Sequence, residues 1–341
     1  DIKWPKKIFF GCAVSRLYRT NTIKTVAPNE NISHIPADVS KVKKASKVMT
    51  MAADIPDTIG SNFLCIFIWV FCLVELYTCM KLKKAFNFLK SLPVKLNNFY
   101  TKRSKSRLVI KNKSKDKKDF DPVTNLDQGF EKYIRLLISK QFPNDSIIGE
   151  EFADKNSANN YTWAIDPIDG TRAFVIGAPT WSNLIGFSFH KKSLLGLANF
   201  PELDKYYISD KNKSYVFKNR KKHILKSSSS VNLSTIRIIS HGNIRYEKLR
   251  KIIGKFGPSF KIASFDALNF CLLAEGKVDA VIEGNLKPYD ILPLIPIIKN
   301  SGGIISNWRG EPAEKAGNII ASSNRKLHNK ILKLLKPFSK K

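Results

Sequence analysis

Cysteine is scarce and poorly placed for cross-linking: there are five, and four of them, Cys12, Cys65, Cys72 and Cys79, fall early in the chain. That excludes a disulfide framework for the main body and points to a reducing compartment, expected to be the cytoplasm. Cys271 stands alone on an apolar stretch, as a buried thiol does. The five histidines are dispersed, so a zinc site of His/Cys type has no support. A full-length apolar run is also missing. The stretch Phe63 to Val74 is interrupted by Glu75 and falls short of the roughly 20 residues of a spanning helix. Acidic residues number 28 against 58 basic ones, a formal charge of +30. The lysines are scattered and no basic stripe is interleaved with aromatics, so the charge reads as compositional bias and no specific nucleic-acid partner is expected.

What is present is enough for one large or two moderate domains, at 341 residues with 43% hydrophobic content. Residues 1–79 begin without Met and show no periodicity until Ser61. They are expected to be a leader, either upstream sequence ahead of Met80 or, if Leu76 and Tyr77 extend the apolar run past Glu75, a membrane anchor over residues 63–77. Residues 80–341 read as the main domain, in halves of 80–232 and 233–341. Leu82, Phe86 and Leu89 recur at helical spacing between Lys81 and Tyr100, with Pro93 interrupting. Thr101 to Asp119 reads as a loop or hairpin. An amphipathic helix then carries Phe130, Tyr133, Ile134, Leu137 and Ile138 on one stripe, and Thr124 with Asp127 has the form of a capping box before it. Strands are expected over 182–190, 193–199, 205–209 and 214–217, followed by a serine-rich loop over 218–232. Beyond it strand and helix alternate: strands over 235–240, 259–263, 278–282, 303–306 and 318–321, helices over 246–253, 267–275, after Pro288, and over 326–335. Pro293 and Pro296 place the start and straightness of the helix after Pro288 in question.

The chemistry gathers at Trp163-Ala164-Ile165-Asp166-Pro167-Ile168-Asp169-Gly170-Thr171-Arg172-Ala173-Phe174. A β-favouring run, Tyr161 to Ile165, delivers Asp166 and Asp169 into a Pro/Gly turn, where two carboxylates can share a hard divalent cation. Gly170 and Thr171 can present backbone N–H groups and a hydroxyl to a phosphate beside it. Alone, such a pair is usually a solvated turn. Here Gly149-Glu150-Glu151 ends another short apolar run, and Lys287-Pro288-Tyr289-Asp290 opens an apolar segment that closes on Gly302-Gly303.

These separated motifs, in this order, resemble the inositol-monophosphatase superfamily of magnesium-dependent phosphatases, from about Phe86 to Leu335. The resemblance implies an α+β fold, a layered α-β-α-β-α sandwich of the inositol-monophosphatase/fructose-bisphosphatase type, and a homodimer. It implies two or three Mg²⁺ ions: Glu150, Asp166 and the Ile168 backbone carbonyl for the first, Asp166, Asp169 and Asp290 for the second, and Glu150 reaching a third. Asp127 and Thr171 would orient and deprotonate the water, and Gly170 and Thr171 would bind the phosphate. The expected partner is a small phosphorylated metabolite, which a basic surface would help to attract.

Arg172-Ala173 and Pro288-Tyr289 stand where inositol phosphatases usually carry Thr-Asn and a Trp, and resemble the histidinol-phosphatase branch. Glu283 lies where the family places a substrate-contacting acid, which in that branch would pair with the ammonium of histidinol phosphate. Arg172 is the second candidate substrate contact. The alternatives are an inositol monophosphatase, a 3′-phosphoadenosine 5′-phosphate phosphatase, or a non-catalytic basic binding protein, which the intact acids argue against.

Overall fold

The computed structural model describes residues 60–105, 107–113, 121–240, 251 and 266–339, with side chains from residue 77 onward. Helix α1 (Gly60–Arg103) is followed by an antiparallel pair, β1 (Ile110–Asn112) and β2 (Pro122–Thr124), and by helix α2 (Asn125–Gln141). A seven-stranded sheet comes next, its order that of the chain: β3 (Ser146–Gly149), β4 (Tyr161–Asp169), β5 (Ser182–Phe189), β6 (Lys192–Phe200), β7 (Lys205–Ser209), β8 (Ser214–Lys218) and β9 (Lys221–Ile224). Helix α3 (Thr171–Val175) links β4 to β5. β3 and β4 run parallel, and the later pairs are antiparallel. The second sheet contains β10 (Ile238–Ser240), β11 (Ala280–Leu286), β12 (Ile304–Asn307) and β13 (Gly317–Ser322) in the order β10-β11-β13-β12. Its helices are α4 (Ala267–Ala274), α5 (Pro288–Ile291), α6 (Leu294–Asn300) and α7 (Arg325–Leu335).

Because successive strand residues face opposite ways, each sheet feeds two cores. Trp163, Ile165, Ile185, Phe187 and Leu197 pack with Leu89, Leu92 and Leu96 of α1 and Phe130, Ile134 and Ile138 of α2. Their strand neighbours Ala164, Leu184, Ala198 and Phe200 face the other way, onto Phe270 and Leu273 of α4, Ile295 and Ile298 of α6, and Val281 and Ile319 of the second sheet. Ala280, Ile282 and Ile320 turn outward onto Leu327, Ile331 and Leu335 of α7. Helices, sheet, helices, sheet and helix follow in that order, the expected five layers within residues 77–341.

Three expectations need correction. Pro93 does not interrupt the first helix but lies inside it. Phe88, Leu89, Leu92 and Leu96 are buried on either side of it, and at about 1.5–3 kcal/mol per large apolar side chain their packing outweighs the roughly 3 kcal/mol of an interior proline. The strand ending at Ile165 runs on through Asp169, so the carboxylates sit on its irregular end, ahead of the turn. Within the serine-rich loop, Lys221–Ile224 forms an edge strand paired with β8, exposed on both faces and held by its backbone ladder. The 101–119 stretch does form the arm of a hairpin through β1. The helix expected over 246–253, apart from Lys251, and the strand over 259–263 lie outside the described residues, as do residues 1–59 and the side chains of most of the 63–77 run. Among the described residues no helix is long and apolar enough to cross a membrane.

The segment after Asp290 is split as its prolines require. α5 ends at Ile291, and α6 resumes after Pro293 with Pro296 in its first turn. Pro296 has no N–H to give the Leu292 carbonyl, and Ser193 Oγ of β6 donates to that carbonyl instead at 2.6 Å. Gly186 and Gly196, paired across β5 and β6, form a saddle beneath this break: a Cβ on Gly196 would lie 1.7 Å from the Pro293 carbonyl oxygen. Only glycine lets the two backbones approach so closely.

Candidate active site

A regular strand would send residues three apart to opposite faces, so Asp166 and Asp169 could not serve one site from an ideal β4. The strand is irregular at that point. Asp166 pairs with Leu184 and Asp169 with Ser182, leaving Pro167 and Ile168 opposite Asn183 alone, and this bulge turns both carboxylates to one side. Proline suits a bulge because it has no donor to lose. Asn183 Nδ2 donates to the Pro167 carbonyl at 2.7 Å, and Asn183 Oδ1 accepts from Asn199 Nδ2 at 3.0 Å, which pins the distortion from the neighbouring strands. Gly170 then takes φ 78°, left-handed backbone open to glycine, and starts α3.

The product is a cavity of about 530 Å³ lined by Glu150, Asp166, Ile168, Asp169, Gly170, Thr171, Arg172, Glu283 and Asp290. Asp127 lies just behind that wall, on the first turn of α2, with Thr171 Oγ1 3.4 Å from its Oδ1. The structure therefore brings together every candidate residue. Asp127 is also held by the Thr124 capping box, so the capping role and the position beside Thr171 coexist. Thr171 Oγ1 donates to the Ile168 carbonyl at 3.0 Å. Asp290 sits at the start of α5, where the Lys287 N–H donates to its Oδ2 at 2.7 Å. Glu150 comes from the end of β3 and carries Lys113 Nζ at 2.9 Å; Lys113 also contacts Glu151.

Crowding like charges away from water makes their ionisation costly. Burial, and then the charges of Glu150, Asp169 and Asp290, hold Asp166 well above the usual carboxylate range. Burial and Asp266 do the same to Asp169, against an Ala267 N–H bond. Asp290 is pushed up to about 7 and Glu283 to about 8, in each case chiefly by burial. Burial likewise raises Asp127, against its bonds from Thr124. Asp166 Oδ1 is buried without a hydrogen-bond partner. An all-oxygen donor set with an orphaned buried carboxylate oxygen fits a hard divalent cation such as Mg²⁺. Among the described residues no three such groups stand grouped around one ion position.

Residues 82–339 match the sequence model of the Inositol monophosphatase family. The chain belongs to the inositol monophosphatase family. Members of that family are metal-dependent phosphatases. The chain is 28% identical over 226 residues to the histidinol-phosphatase of Chlorobaculum parvum, covering 63% of this chain and 84% of that protein. It is 32% identical over 224 residues to inositol monophosphatase 1 of Bos taurus, covering 62% and 81%. The inositol monophosphatase structure from Zymomonas mobilis superposes with a TM-score of 0.63 at 27% identity, over 74% of this chain and 98% of that one.

Two acids on the cavity wall escaped sequence reasoning. Asp121 precedes the α2 cap, and Asp266 precedes α4. An acid immediately before an apolar helix is an N-cap signature, and that signal alone could have drawn attention to Asp266.

Proposed function

We propose that the chain is a Mg²⁺-dependent phosphomonoesterase that hydrolyses histidinol phosphate. The observation that carries the phosphatase reading is the convergence of Glu150, Asp166, Asp169 and Asp290, from separate stretches of sequence, on one cavity with the Gly170–Thr171 turn. Two ions would be held by Glu150, Asp166 and the Ile168 carbonyl, and by Asp166, Asp169 and Asp290. When bound, Mg²⁺ supplies charge neutralisation for a phosphoryl group and makes a coordinated water more acidic. The chain's own groups do the rest. The backbone N–H groups of Gly170 and Thr171 would hold phosphoryl oxygens, and the Thr171 hydroxyl would orient the attacking water. Asp127, raised by burial and 3.4 Å from Thr171 Oγ1, would take the water's proton. No covalent phosphoenzyme is required.

Support for an amino-alcohol ester comes from the likeness to named histidinol-phosphatases; Glu283, buried in the cavity wall yet outside the proposed ligand set, is placed to meet the alcohol of either ester. The likeness to a named inositol monophosphatase favours a second reading, the inositol ester. Phosphate release from histidinol phosphate, myo-inositol 1-phosphate, 3′-phosphoadenosine 5′-phosphate and fructose 1,6-bisphosphate separates them by kcat/KM. Histidinol phosphate is expected to lead by about tenfold or more, equivalent to about 1.4 kcal/mol. Preference for the inositol ester would sink the substrate assignment and leave the metal-dependent chemistry standing.

A further inference from the structure

At the edge of the seven-stranded sheet, over β7, β8 and β9, lies a second cavity, of about 420 Å³, within the size range of small-molecule sites. Five lysines line it, Lys205, Lys218, Lys221, Lys226 and Lys277, against a single carboxylate, Glu275, which leaves four positive charges in excess. None of these residues belongs to the acidic cavity. Three of the lysines form one cross-strand row: Lys205 of β7 pairs with Lys218 of β8, and Lys218 with Lys221 of β9. Paired residues share a face, so three ammonium groups rise side by side from strands about 4.8 Å apart. Two residues along the same strands, the next row on that face is Tyr207, Val216 and His223, and Tyr207, Val216 and Leu225 belong to the core between the sheets. The lysine row begins where that core ends.

Like charges directly opposite one another across strands oppose folding. Only one end of the row is relieved. Glu275, the C-cap of α4, accepts from Lys205, from Lys277 and from the Tyr207 hydroxyl. Among the described residues Lys218 and Lys221 form no ion pair. Lysine on an edge strand has a use of its own, since it discourages pairing with another chain. That accounts for Lys221 and for its neighbour Lys222, whose ammonium lies over the Tyr215 ring at 3.8 Å on the opposite face. It does not account for Lys205 and Lys218, which stand on strands paired on both sides. A repulsion kept inside the sheet, at the wall of a cavity, points to an anion.

We infer that the Lys205-Lys218-Lys221 row is a binding site for a small anion carrying two or more linked phosphoryl groups. A lone phosphate dianion cannot compensate ammonium groups drawn from three strands, whereas a condensed phosphate chain meets them together. The apolar floor of Val216 and Leu225 leaves a place for an organic group at the end of the chain. The site is independent of the phosphatase reading, because it shares no residue with the acidic cavity.

Calorimetric titration of the full chain with sodium tripolyphosphate tests this, at physiological ionic strength and with a chelator present so that no Mg²⁺ draws the probe to the acidic cavity. One equivalent should bind, at least about tenfold more tightly than orthophosphate. Lys218→Gln and Lys221→Gln should each weaken binding by about tenfold. Lys222→Gln removes the same charge from the opposite face and should leave the affinity within about twofold of wild type. Lys218→Gln should melt no lower than wild type, because it relieves a repulsion, and tripolyphosphate should raise the melting temperature of wild type but not of the double variant Lys218→Gln/Lys221→Gln. ATP in place of tripolyphosphate separates the sources: tighter binding assigns a nucleotide with its base on the apolar floor, equal or weaker binding assigns the inorganic chain, and either supports the site. Absence of saturable binding, or equal weakening by Lys222→Gln, would overturn the inference by leaving only diffuse attraction to a basic surface. A lower melting temperature for Lys218→Gln would overturn it by assigning the row to the fold.

Discussion

Asp145 and Asp166 are buried almost equally, at 1% and 3% exposure, yet their surroundings are opposite. Lys81 Nζ at 2.5 Å, Asn159 Nδ2 at 2.7 Å and Trp163 Nε1 at 3.0 Å all donate to Asp145, tying α1 to the strands beneath it. Asp279 is treated in the same way: burial alone would raise it, but hydrogen bonds from Arg237 and Ser228 outweigh burial and hold it below its ordinary value. At the cavity, Asp166 feels the charges of Glu150, Asp169 and Asp290, and it keeps an orphaned oxygen. A buried carboxylate supplied with donors is part of the scaffold. One surrounded by other carboxylates holds the protein ready for a cation it does not itself provide.

The comparison breaks most visibly in turnover. Asp290→Asn or Asp166→Asn should lower phosphate release at saturating Mg²⁺ by at least about 100-fold, while the metal-free protein unfolds no more easily than wild type, because a repulsion has been removed. Near-normal turnover in either variant would show that the metal assignment is wrong. At the other region the loss should fall on stability. Asp145→Ala leaves Lys81 and the Trp163 N–H without their acceptor, and urea unfolding should show a loss of about 3–5 kcal/mol, with turnover per folded molecule little changed.

The smallest effect should be in pH dependence. Asp290 and Glu283 are raised in the folded state, to about 7 and about 8, so the folded protein binds their protons more tightly than the unfolded chain does. Their contribution is therefore fully present below about pH 4 and is lost as pH rises through 7 and 8. The melting temperature of metal-free protein should fall by several degrees between pH 5 and 8.5, and saturating Mg²⁺ should flatten the slope. Asp279, being lowered, contributes nothing to that slope: its stabilisation is lost only as the pH falls below the ordinary carboxylate range.

Asp166 and Asp169 stood out in the sequence because their motif keeps local order, an apolar run, then carboxylates, then glycine, whereas Glu150 and Asp290 became candidates through the family resemblance of their separated motifs. The bulge that lets Asp166 and Asp169 share a cavity was not legible, since it depends on register with Leu184 and Ser182 in another strand. Lys221–Ile224 has too little apolar alternation to announce a strand, because an edge strand exposed on both faces draws on backbone pairing alone. Pro93 misled for the reverse reason. Its penalty is local and visible, while the burial that overrides it comes from α2 and the sheet. Asp266 had a helix-start signature and nothing more.

The glycine saddle under Pro293 governs when the site comes into being. Ser193 and Leu292, which bond across that contact, are 99 residues apart in the chain, and loop closure over such a span is slow compared with local pairing. Asp166 and Asp169 both lie on β4, which can pair early with β5, its neighbour in the chain, whereas Asp290 is expected to reach the cavity when the Pro293 backbone settles onto Gly186 and Gly196. Assembly of the full set of acids is thus expected late in the folding of each new chain. A partly folded molecule would carry most of the acids and none of the hydrolytic activity, so phosphate esters would be safe from it until the second sheet had docked.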